Sequence, residues 1–266
     1  MPKVSVIVPN YNHGEFLPEA VASVSPANRD DLEIIVVDDG STDERTRREV
    51  EGLEVSGIHV IRQENKGLAA ARNAAIAAAR GEYIFPLDAD DRARLAPMLR
   101  AAQVLDAQPE IGVVYGDAAL FGIRSGRWPA GPFSAVRLMK KNFISCSALF
   151  RRVVWEQVGG YDGTMPAQGL EDWDFWIGAY EHGWQFAYFP EPLFDYRQHH
   201  VSMLTNARKF EDKINEFVAA KHGALYKREW MWLADEHDSG RATFRNLRRI
   251  VKARIKHKLG MNGKHG

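Results

Sequence analysis

The sequence predicts an α/β fold with a central mixed, mostly parallel sheet and a helical C-terminal tail. Through the first half, short β-branched runs alternate with alanine-rich stretches, a pattern typical of strand–helix units that build a doubly covered parallel sheet. With 266 residues and 45% hydrophobic composition, the chain can bury a large core. Within residues 206–266, apolar side chains recur three or four positions apart, which predicts helix.

The first half accounts for most of the predicted sheet. Its predicted strands are Val4–Val8, Glu33–Val37, Ile58–Ile61, Glu82–Phe85 and Ile111–Tyr115. The predicted helices between them are Glu15–Val24, Gly67–Arg80 and the stretch from Pro97 to about Ala107. Glu33–Val37 is too apolar to be half exposed, so we expect it near the centre of the sheet.

The strand pattern loosens through residues 122–132, which contain glycine and proline, and resumes at Ser147. From there the sequence predicts a short strand, a helix at Arg152–Val158, a helix at Glu171–His182 that Gly183 ends, and a strand at Phe186–Phe189. We therefore expect one domain over residues 1–205, divided near residue 115, followed by a helical basic extension over 206–266.

Composition narrows the classes of protein that this chain can represent. The formal net charge is zero, but residues 239–266 carry nine Lys or Arg and no acid, so the remainder is acidic and nucleic-acid binding is not expected. Cys146 is the only cysteine and cannot form an internal disulfide, which favours a cytoplasmic, reducing compartment. No apolar run approaches the roughly 20 residues of a membrane-spanning helix.

The basic tail at 240–266 allows two interpretations. Its apolar stripe beside many cations could lie on an anionic membrane surface, which would make the protein peripheral at the inner face of the membrane. Alternatively, the tail is a helix packed on the domain with a solvated basic face.

Acidic side chains gather where two predicted strands end. Asp38-Asp39-Gly-Ser-Thr-Asp43 follows the second strand, and Asp88-Ala-Asp90-Asp91 follows the strand at Glu82–Phe85. The carboxyl ends of parallel strands form the edge where open α/β sheets bind ligands. Either cluster alone is consistent with a turn or a helix cap. Together they predict a site for Mg²⁺ or Mn²⁺ that leaves coordination positions for a diphosphate.

Seven segments in a fixed order carry a resemblance to a known family. They are Val4–Asn12, Ile35–Asp43, Asn65–Asn73, Leu87–Asp91, Gly159–Asp162, Glu171–Asp172 and Tyr196–His199. In this order, across residues 3–203, the sequence resembles the family-2 glycosyltransferases of the GT-A fold. The resemblance implies a metal-dependent, inverting enzyme with a donor half at 1–115 and an acceptor half at 116–205. It also implies transfer of one sugar from a nucleotide diphosphate to an acceptor hydroxyl.

For the donor, the resemblance implies roles near the ends of the first two strands. It places the nucleotide base against Pro9 and Tyr11, with a hydrogen bond to Asp39, although Tyr11 alone would suggest a packed loop tyrosine. It places Lys66 and Gly67 in the donor-side loop, where a cation could meet phosphate. A UDP-sugar is the first expectation for the donor, but the sequence does not decide between uracil, guanine and thymine.

Other donor-side roles concern the metal and the phosphates. The resemblance implies that Asp88 lies near the ribose hydroxyls and that Asp90 binds the metal. Asp91 is interpreted as a cap of the following helix. Arg72 is expected at phosphate, with an intramolecular salt bridge as the alternative. Arg197 is expected to supply charge near the diphosphate. His199 is expected to touch phosphate or metal, with His200 as the competing assignment.

On the acceptor side, Asp172 matches the position of the general base. It begins a helix whose free amides favour an ionised carboxylate, although a run of first-turn acids is the ordinary alternative. Glu171, Trp173 and Trp176 are expected to face the acceptor, against the alternative that the aromatic rings are core. The acceptor is expected to be a glycan or lipid-linked molecule of polysaccharide or glycolipid assembly.

Three further inferences complete the analysis. No Gln-x-x-Arg-Trp element is present, so transfer of single sugars is expected rather than processive synthesis. A nucleotidyltransferase on a similar sheet and a non-catalytic member that binds nucleotide or glycan remain as alternatives. Cys146 is interpreted as a buried structural thiol.

Overall fold

A computed structural model describes residues 2–24, 30–199 and 208–236. The chain divides into two compact units, Met1–His222 and Gly223–Gly266. The second unit contributes one described helix, Gly223–Glu236, and all other described elements belong to the first. The basic tail at 240–266 and the competing residue His200 lie outside the described residues.

Nine strands form one sheet in the described part of the first unit. They are β1 Val4–Asn10, β2 Leu32–Asp38, β3 His59–Arg62, β4 Tyr83–Pro86, β5 Arg92–Ala93, β6 Ile111–Gly122, β7 Gly126–Trp128, β8 Leu149–Arg151 and β9 Gln185–Gln198. Their order is β3-β2-β1-β4-β8-β6-β9-β5, and β7 pairs with β6 outside this path. Strands β1, β2, β3 and β4 pair in parallel, as do β6 and β9, whereas β8 is antiparallel to both β4 and β6. The predicted mixed, mostly parallel sheet is confirmed.

The helices connect these strands. They are α1 Leu17–Val24, α2 Glu44–Val55, α3 Leu68–Ala78, α4 Leu95–Ala107, α5 Ala135–Lys140, α6 Arg152–Val158, α7 Glu171–Glu181, α8 Glu211–Lys221 and α9 Gly223–Glu236, with a 3₁₀ turn at Arg208–Phe210. None of the described helices is long and apolar enough to cross a membrane.

The strands that lead to the acidic clusters are buried where they approach the edge of the sheet. Every residue of β1 is buried, as expected for a strand flanked by parallel neighbours and covered on both faces. In β2 burial increases toward the carboxyl end, where Val36, Val37 and Asp38 lie inside. The strands thus bring their carboxyl ends, and the polar residues that follow them, to one well-supported edge.

One strand is longer than the sequence predicted, and one helix was not predicted at all. β9 begins at Gln185 and continues to Gln198, well beyond the predicted Phe186–Phe189, because it pairs along the length of β6 with register shifts near Gly116. Helix α2 was not predicted. Of its side chains only Thr46 and Val50 are buried, so the apolar periodicity that indicates a helix is too weak to recognise.

Candidate active site

The loops after β1 and β2 are joined at the carboxyl edge of the sheet. Asn10 and Asp38 are register partners, and the Asn10 side-chain amide donates to Asp38 Oδ1 at 3.2 Å. The Ser41 hydroxyl donates to the same oxygen at 2.5 Å and accepts from the backbone N–H of Asn12 at 2.9 Å. Tyr11 lies between these contacts with 42% of its surface exposed, and Pro9 is buried within β1.

Asp39 organises the start of α3. Its Oδ1 accepts from Gln63 Nε2 at 2.6 Å and from the Lys66 backbone N–H at 2.9 Å. Its Oδ2 accepts from the Gly67 backbone N–H at 2.8 Å. Asp39 is buried, whereas the Lys66 side chain is exposed beside it. A buried carboxylate therefore orients the loop that was expected to meet the donor.

Gly40 allows this loop to pass close to β2. Its φ is 73°, and a Cβ atom there would lie 2.8 Å from the backbone nitrogen of Asn65. Any other residue would combine a left-handed backbone with a steric clash. The glycine of the Asp39-Gly-Ser segment is thus needed for the loop, independently of any ligand.

The second acidic cluster follows β4. Asp90 Oδ2 lies 2.9 Å from His199 Nε2, and the two side chains are 19% and 29% exposed. A carboxylate and an imidazole that meet at a partly open edge fit a divalent cation such as Mn²⁺, with further positions left for oxygen ligands. Among the residues that the structure describes, no cluster of three or more acidic, histidine or cysteine side chains surrounds a metal position. Asp90 and His199 are thus the described side chains that could hold a cation here.

Arg197 supports this pair. Its guanidinium lies 4.6 Å from the Phe16 ring centroid and 4.3 Å from that of Phe121, and its Nε donates to the Asp90 carbonyl at 2.7 Å. Its backbone N–H donates to Asp91 Oδ1 at 2.8 Å. Its Nη2 also forms an ion pair with Glu19. Arg197 thus holds the backbone of Asp90, while its own charge is paired within the protein.

Asp91 is not the cap of the following helix, because the N-cap residue of α4 is Arg94. It is buried, and burial together with the charges of Asp90 and Asp88 raises the pKa of its carboxyl well above the ordinary value. Its partner Arg197 comes from β9, 106 residues later in the chain. Asp91 therefore fastens the acidic cluster to β9.

Arg72 connects the donor side with α7. Its guanidinium is 2% exposed, donates to Asp88 Oδ1 at 2.8 Å and forms an ion pair with Glu171 Oε1. The ring of Tyr161 lies 5.5 Å away. The salt bridge that was the alternative for Arg72 is what the structure contains, and Glu171 lies in the interior rather than on an acceptor surface.

Asp172 follows Glu171 at the start of α7. It is 8% exposed, and its Oδ1 accepts from the Trp173 backbone N–H at 2.8 Å. Burial, with the neighbouring Glu171 charge, raises the pKa of Asp172 to about 7, although Arg72 and a hydrogen bond from Asn142 oppose the shift. A carboxyl that titrates near neutrality is suited to accept a proton from a hydroxyl.

The aromatic side chains of α7 belong to the core. Trp176 is fully buried among Phe150, Phe175 and Phe186, and Trp173 is 3% exposed with its Nε1 donating to the Leu138 carbonyl at 2.6 Å. Neither ring has a free face. The expected acceptor-side role of Trp173 and Trp176 is corrected: the helix turns both side chains inward because they supply its largest apolar surface.

Helix α8 holds the other side of α7. Asp174 is buried and accepts from Lys221 Nζ at 2.6 Å and pairs with His222 Nε2 at 3.1 Å. His222 Nδ1 lies 2.7 Å from Glu181 Oε2. Although burial opposes protonation, the bonds to Asp174 and Glu181 raise the pKa of His222. The three acidic residues in the first turn of α7, Glu171, Asp172 and Asp174, therefore each have a different environment.

Sequence reasoning missed several contributors to this edge. Cys146 is a buried thiol, as expected, but its Sγ also lies 3.4 Å from Asp88 Oδ2. Gln168 lies over Gly67, in a cleft that also borders Lys66 and Glu171. Phe16, which packs against Arg197, and Gln168 stand in loops without a recognisable motif. Their place in the site is recognised only because the folded chain brings them into contact with residues that the sequence did predict.

Comparison with known proteins identifies the family to which the sequence is similar. The model of glycosyl transferase family 2 matches residues 5–157. An uncharacterized glycosyltransferase from Nostoc sp. is 39% identical over 116 residues, which cover 42% of this chain and 36% of that protein. A PGL/p-HBAD biosynthesis glycosyltransferase from Mycobacterium tuberculosis is 30% identical over 190 residues, or 67% of this chain and 70% of the relative. The chain thus spans little more than a third of the Nostoc relative's length.

Two solved structures support the fold. S. aureus TarS 1-349 in complex with UDP-GlcNAc aligns with a TM-score of 0.65 at 21% identity, covering 82% of this chain and 66% of that one. The mannosyltransferase PcManGT from Pyrobaculum calidifontis, in complex with GDP-Man and Mn²⁺, aligns with a TM-score of 0.56 at 19% identity, covering 96% and 86%. The predicted GT-A fold is confirmed, and the chain belongs to glycosyl transferase family 2.

Proposed function

We propose that this protein is an inverting glycosyltransferase that moves one sugar from a nucleotide diphosphate donor to an acceptor hydroxyl. The observation that supports this most is the buried bridge through Arg72. It joins Asp88 of the donor-side acidic cluster to Glu171, the neighbour of the candidate base Asp172. Donor site and base are then parts of one rigid assembly, as a single displacement requires.

The donor is assigned to the loops after β1 and β2. Tyr11 is exposed there and offers a ring face to a nucleotide base, and Pro9 and Asp39 are buried at the ends of the same two strands. The exposed side chain of Lys66 supplies positive charge for phosphate oxygens. The ligands named for the two solved neighbours are UDP-GlcNAc and GDP-Man, which supports a nucleotide-sugar and leaves UDP and GDP as the first bases to test.

A divalent cation fits beside this donor. Asp90 and His199 would hold Mn²⁺ or Mg²⁺, which supplies positive charge to the departing diphosphate when bound. The Mn²⁺ named for PcManGT supports the same class of ion. Arg197 positions Asp90 through its backbone carbonyl, and Asp88 is left for the ribose, steadied by Arg72 and Cys146.

Asp172 is assigned as the general base. With its pKa raised to about 7, the Asp172 carboxyl is in part ionised at neutral pH, and the ionised form can take the proton of an acceptor hydroxyl. The oxygen of that hydroxyl bonds to the anomeric carbon as the bond from that carbon to the diphosphate oxygen breaks. Attack from the face opposite the leaving group inverts the anomeric configuration.

The acceptor is proposed to be a glycan or a lipid-linked molecule. The names of two relatives, a glycosyltransferase of PGL/p-HBAD biosynthesis and the putative glycosyltransferase EpsE of Bacillus subtilis, support a role in surface polysaccharide or glycolipid assembly. Contact of the 240–266 tail with an anionic membrane is part of the same proposal. Equal pelleting with anionic vesicles by the intact protein and by a truncation at Gly240 would contradict it.

Release of nucleoside diphosphate tests the proposed reaction. The purified protein is incubated with Mn²⁺ and UDP-, GDP- or TDP-sugars, alongside Asp90→Ala, Asp172→Asn and the control Asp106→Asn, whose exposed carboxylate pairs with Lys3. We expect release from one donor, a loss of about 10²–10⁴-fold in Asp172→Asn and a comparable loss in Asp90→Ala, with the control unchanged. Release of pyrophosphate instead would favour a nucleotidyltransferase, and nucleotide binding without any release would favour a non-catalytic protein.

A further inference from the structure

An exposed tryptophan stands at the acceptor half of the carboxyl edge. Trp128 ends β7, which pairs with β6, and 38% of its surface is exposed. Its ring centroid lies 6.0 Å from that of Tyr196 on β9. Exposed aromatic rings that lie together, unlike singly exposed apolar side chains, often mark a binding site.

A buried carboxylate holds this tryptophan in place. Asp117 of β6 is 1% exposed and accepts from Arg127 Nε at 2.6 Å, the Ala130 backbone N–H at 2.9 Å and the Tyr188 hydroxyl at 2.7 Å. Arg127 also donates to the Pro190 carbonyl at 2.8 Å. The segment on both sides of Trp128 is therefore tied to the sheet. A ligand that stacks there would need little further ordering of the protein.

A cleft lies beside the exposed ring. Trp128, Phe143 and Phe194 form its aromatic walls, and its remaining lining consists of small residues and one hydroxyl. These are Gly116, Ala118, Ala130 and Ser145. The space inside the cleft is about that of one water molecule, so a larger ligand would lie across its mouth. Aromatic side chains beside a hydroxyl suit a ligand that has both apolar faces and hydroxyls, which is the surface chemistry of a sugar ring.

The cleft adjoins the acidic cluster on the side away from Asp39. Ser145 precedes Cys146, whose Sγ lies 3.4 Å from Asp88 Oδ2. Tyr196 precedes Arg197, whose backbone N–H is bonded to Asp91. In the sheet, β6 and β9 lie beyond β4 and β8, whereas the loops assigned to the nucleotide follow β1 and β2. A ligand in this cleft would therefore approach the reacting centre from the acceptor half.

We propose that Trp128, with the Tyr196 ring packed against it, forms the stacking surface for a pyranose ring of the acceptor, with the Ser145 hydroxyl as a hydrogen-bonding partner. This assignment rests on the proposed transferase function. It gives the acceptor an aromatic surface that the buried Trp173 and Trp176 cannot supply. It also explains why Asp117 fastens an exposed hairpin to the sheet so tightly.

Two measurements test the assignment. The first is tryptophan fluorescence during titration with methyl β-D-glucopyranoside, methyl β-D-galactopyranoside, methyl α-D-mannopyranoside and methyl N-acetyl-β-D-glucosaminide. The second is the acceleration of nucleoside diphosphate release by the same glycosides, with donor at saturation. Variants are Trp128→Ala, Trp128→Phe and Ser145→Ala. Trp184→Phe is the matched control because Trp184 packs over Gly112 at the opposite end of β6.

We expect at least one glycoside to perturb the fluorescence and accelerate release in the wild type and in Trp184→Phe. In Trp128→Ala the glycoside concentration for half-maximal acceleration should rise about tenfold, the equivalent of one lost aromatic stacking contact, while the KM of the donor changes far less. Trp128→Phe should recover part of the loss. An unchanged glycoside dependence in Trp128→Ala, or no response to any glycoside while UDP or GDP still binds, overturns the proposal. Failure of every nucleotide to bind would instead overturn the proposed function.

Discussion

Arg72 and Glu171 form a buried ion pair between residues 99 positions apart in the chain. The other branch of the same guanidinium reaches Asp88, so one side chain joins the acids after β4 to the start of α7. The Arg72 Nε has no partner among the described residues, and Tyr161 covers the guanidinium. This contact determines where Asp172 stands relative to the donor side.

Removing Arg72 should be costly for stability. Arg72→Met leaves two carboxylates without their cation, one of them buried, and breaking a buried pair in this way typically costs about 3–5 kcal/mol. Adding Glu171→Gln should recover part of that loss because the unpaired charge is removed. Urea unfolding of both variants measures the effect.

The matched control for Arg72 is Arg100→Met, which removes an arginine that is 47% exposed and pairs with Glu191, itself 49% exposed. Exposed pairs contribute about 0–1 kcal/mol, so little change is expected. An Arg72→Met variant as stable as the control would contradict the bridging role.

Catalysis should depend on the ionisation of Asp172. Because its pKa is raised to about 7 and the base must be ionised, kcat/KM should rise with pH through about pH 7 and then level off. Asp172→Asn should remove both the activity and this limb of the profile. A profile that is already flat from pH 5 to pH 9 would show that another group accepts the proton.

The raised pKa of Asp172 also affects stability, which should decrease with rising pH where activity increases. The folded protein holds the Asp172 proton to higher pH than the unfolded chain, so the contribution of this group to stability falls as pH rises from about 4 through about 7. Asp172→Asn should therefore increase Tm more at pH 8.5 than at pH 5, with about 2–4 °C for each kcal/mol gained. Differential scanning calorimetry at the two pH values makes the comparison. An equal change at both would contradict the titration.

Metal binding should require both Asp90 and His199. Their side-chain atoms lie 2.9 Å apart, so loss of either leaves one protein ligand. In Asp90→Ala and His199→Ala, Mn²⁺ binding measured by electron paramagnetic resonance in the presence of UDP or GDP should weaken by about tenfold or more. His59→Ala, which removes an exposed histidine of β3, should bind Mn²⁺ as the wild type does. Full Mn²⁺ affinity in His199→Ala would exclude this histidine as a ligand.

Attachment of α8 should weaken as pH rises. The pKa of His222 is raised from an ordinary 6.5 by Asp174 and Glu181, so its contribution to stability is fully present below about pH 6 and is lost as pH rises through the folded-state pKa. His222→Ala should lower Tm by several degrees at pH 6 and by less at pH 9. The control is His182→Ala, which removes a histidine that contacts the Gly178 carbonyl at 2.8 Å, and its effect on Tm should not follow the same pH dependence. A larger loss at pH 9 would reverse the assigned direction.

The alternation of strands and helices could be predicted from local sequence because periodicity and strand-end motifs are local signals. This is why β1, β2 and β4 and the acids that follow them were located correctly. Helix α2 was missed because it buries only two side chains, and the length of β9 was missed because its outer half is defined by pairing with β6. The roles of the site residues remain predictions that the experiments above address.

The sequence by itself determined the family, the parallel sheet, and the placement of Asp39, Asp88 and Asp90 at its carboxyl edge. Tertiary structure alone decided that Arg72 is a buried bridge, that Trp176 is core, and that Trp128 is left exposed in the acceptor half. The physical reason is that periodicity along a chain reports which face of an element is apolar. It does not report which side chains from distant parts of the chain will pack against that face. Those contacts decide whether a salt bridge forms between residues 99 positions apart and whether an aromatic ring stays exposed to water.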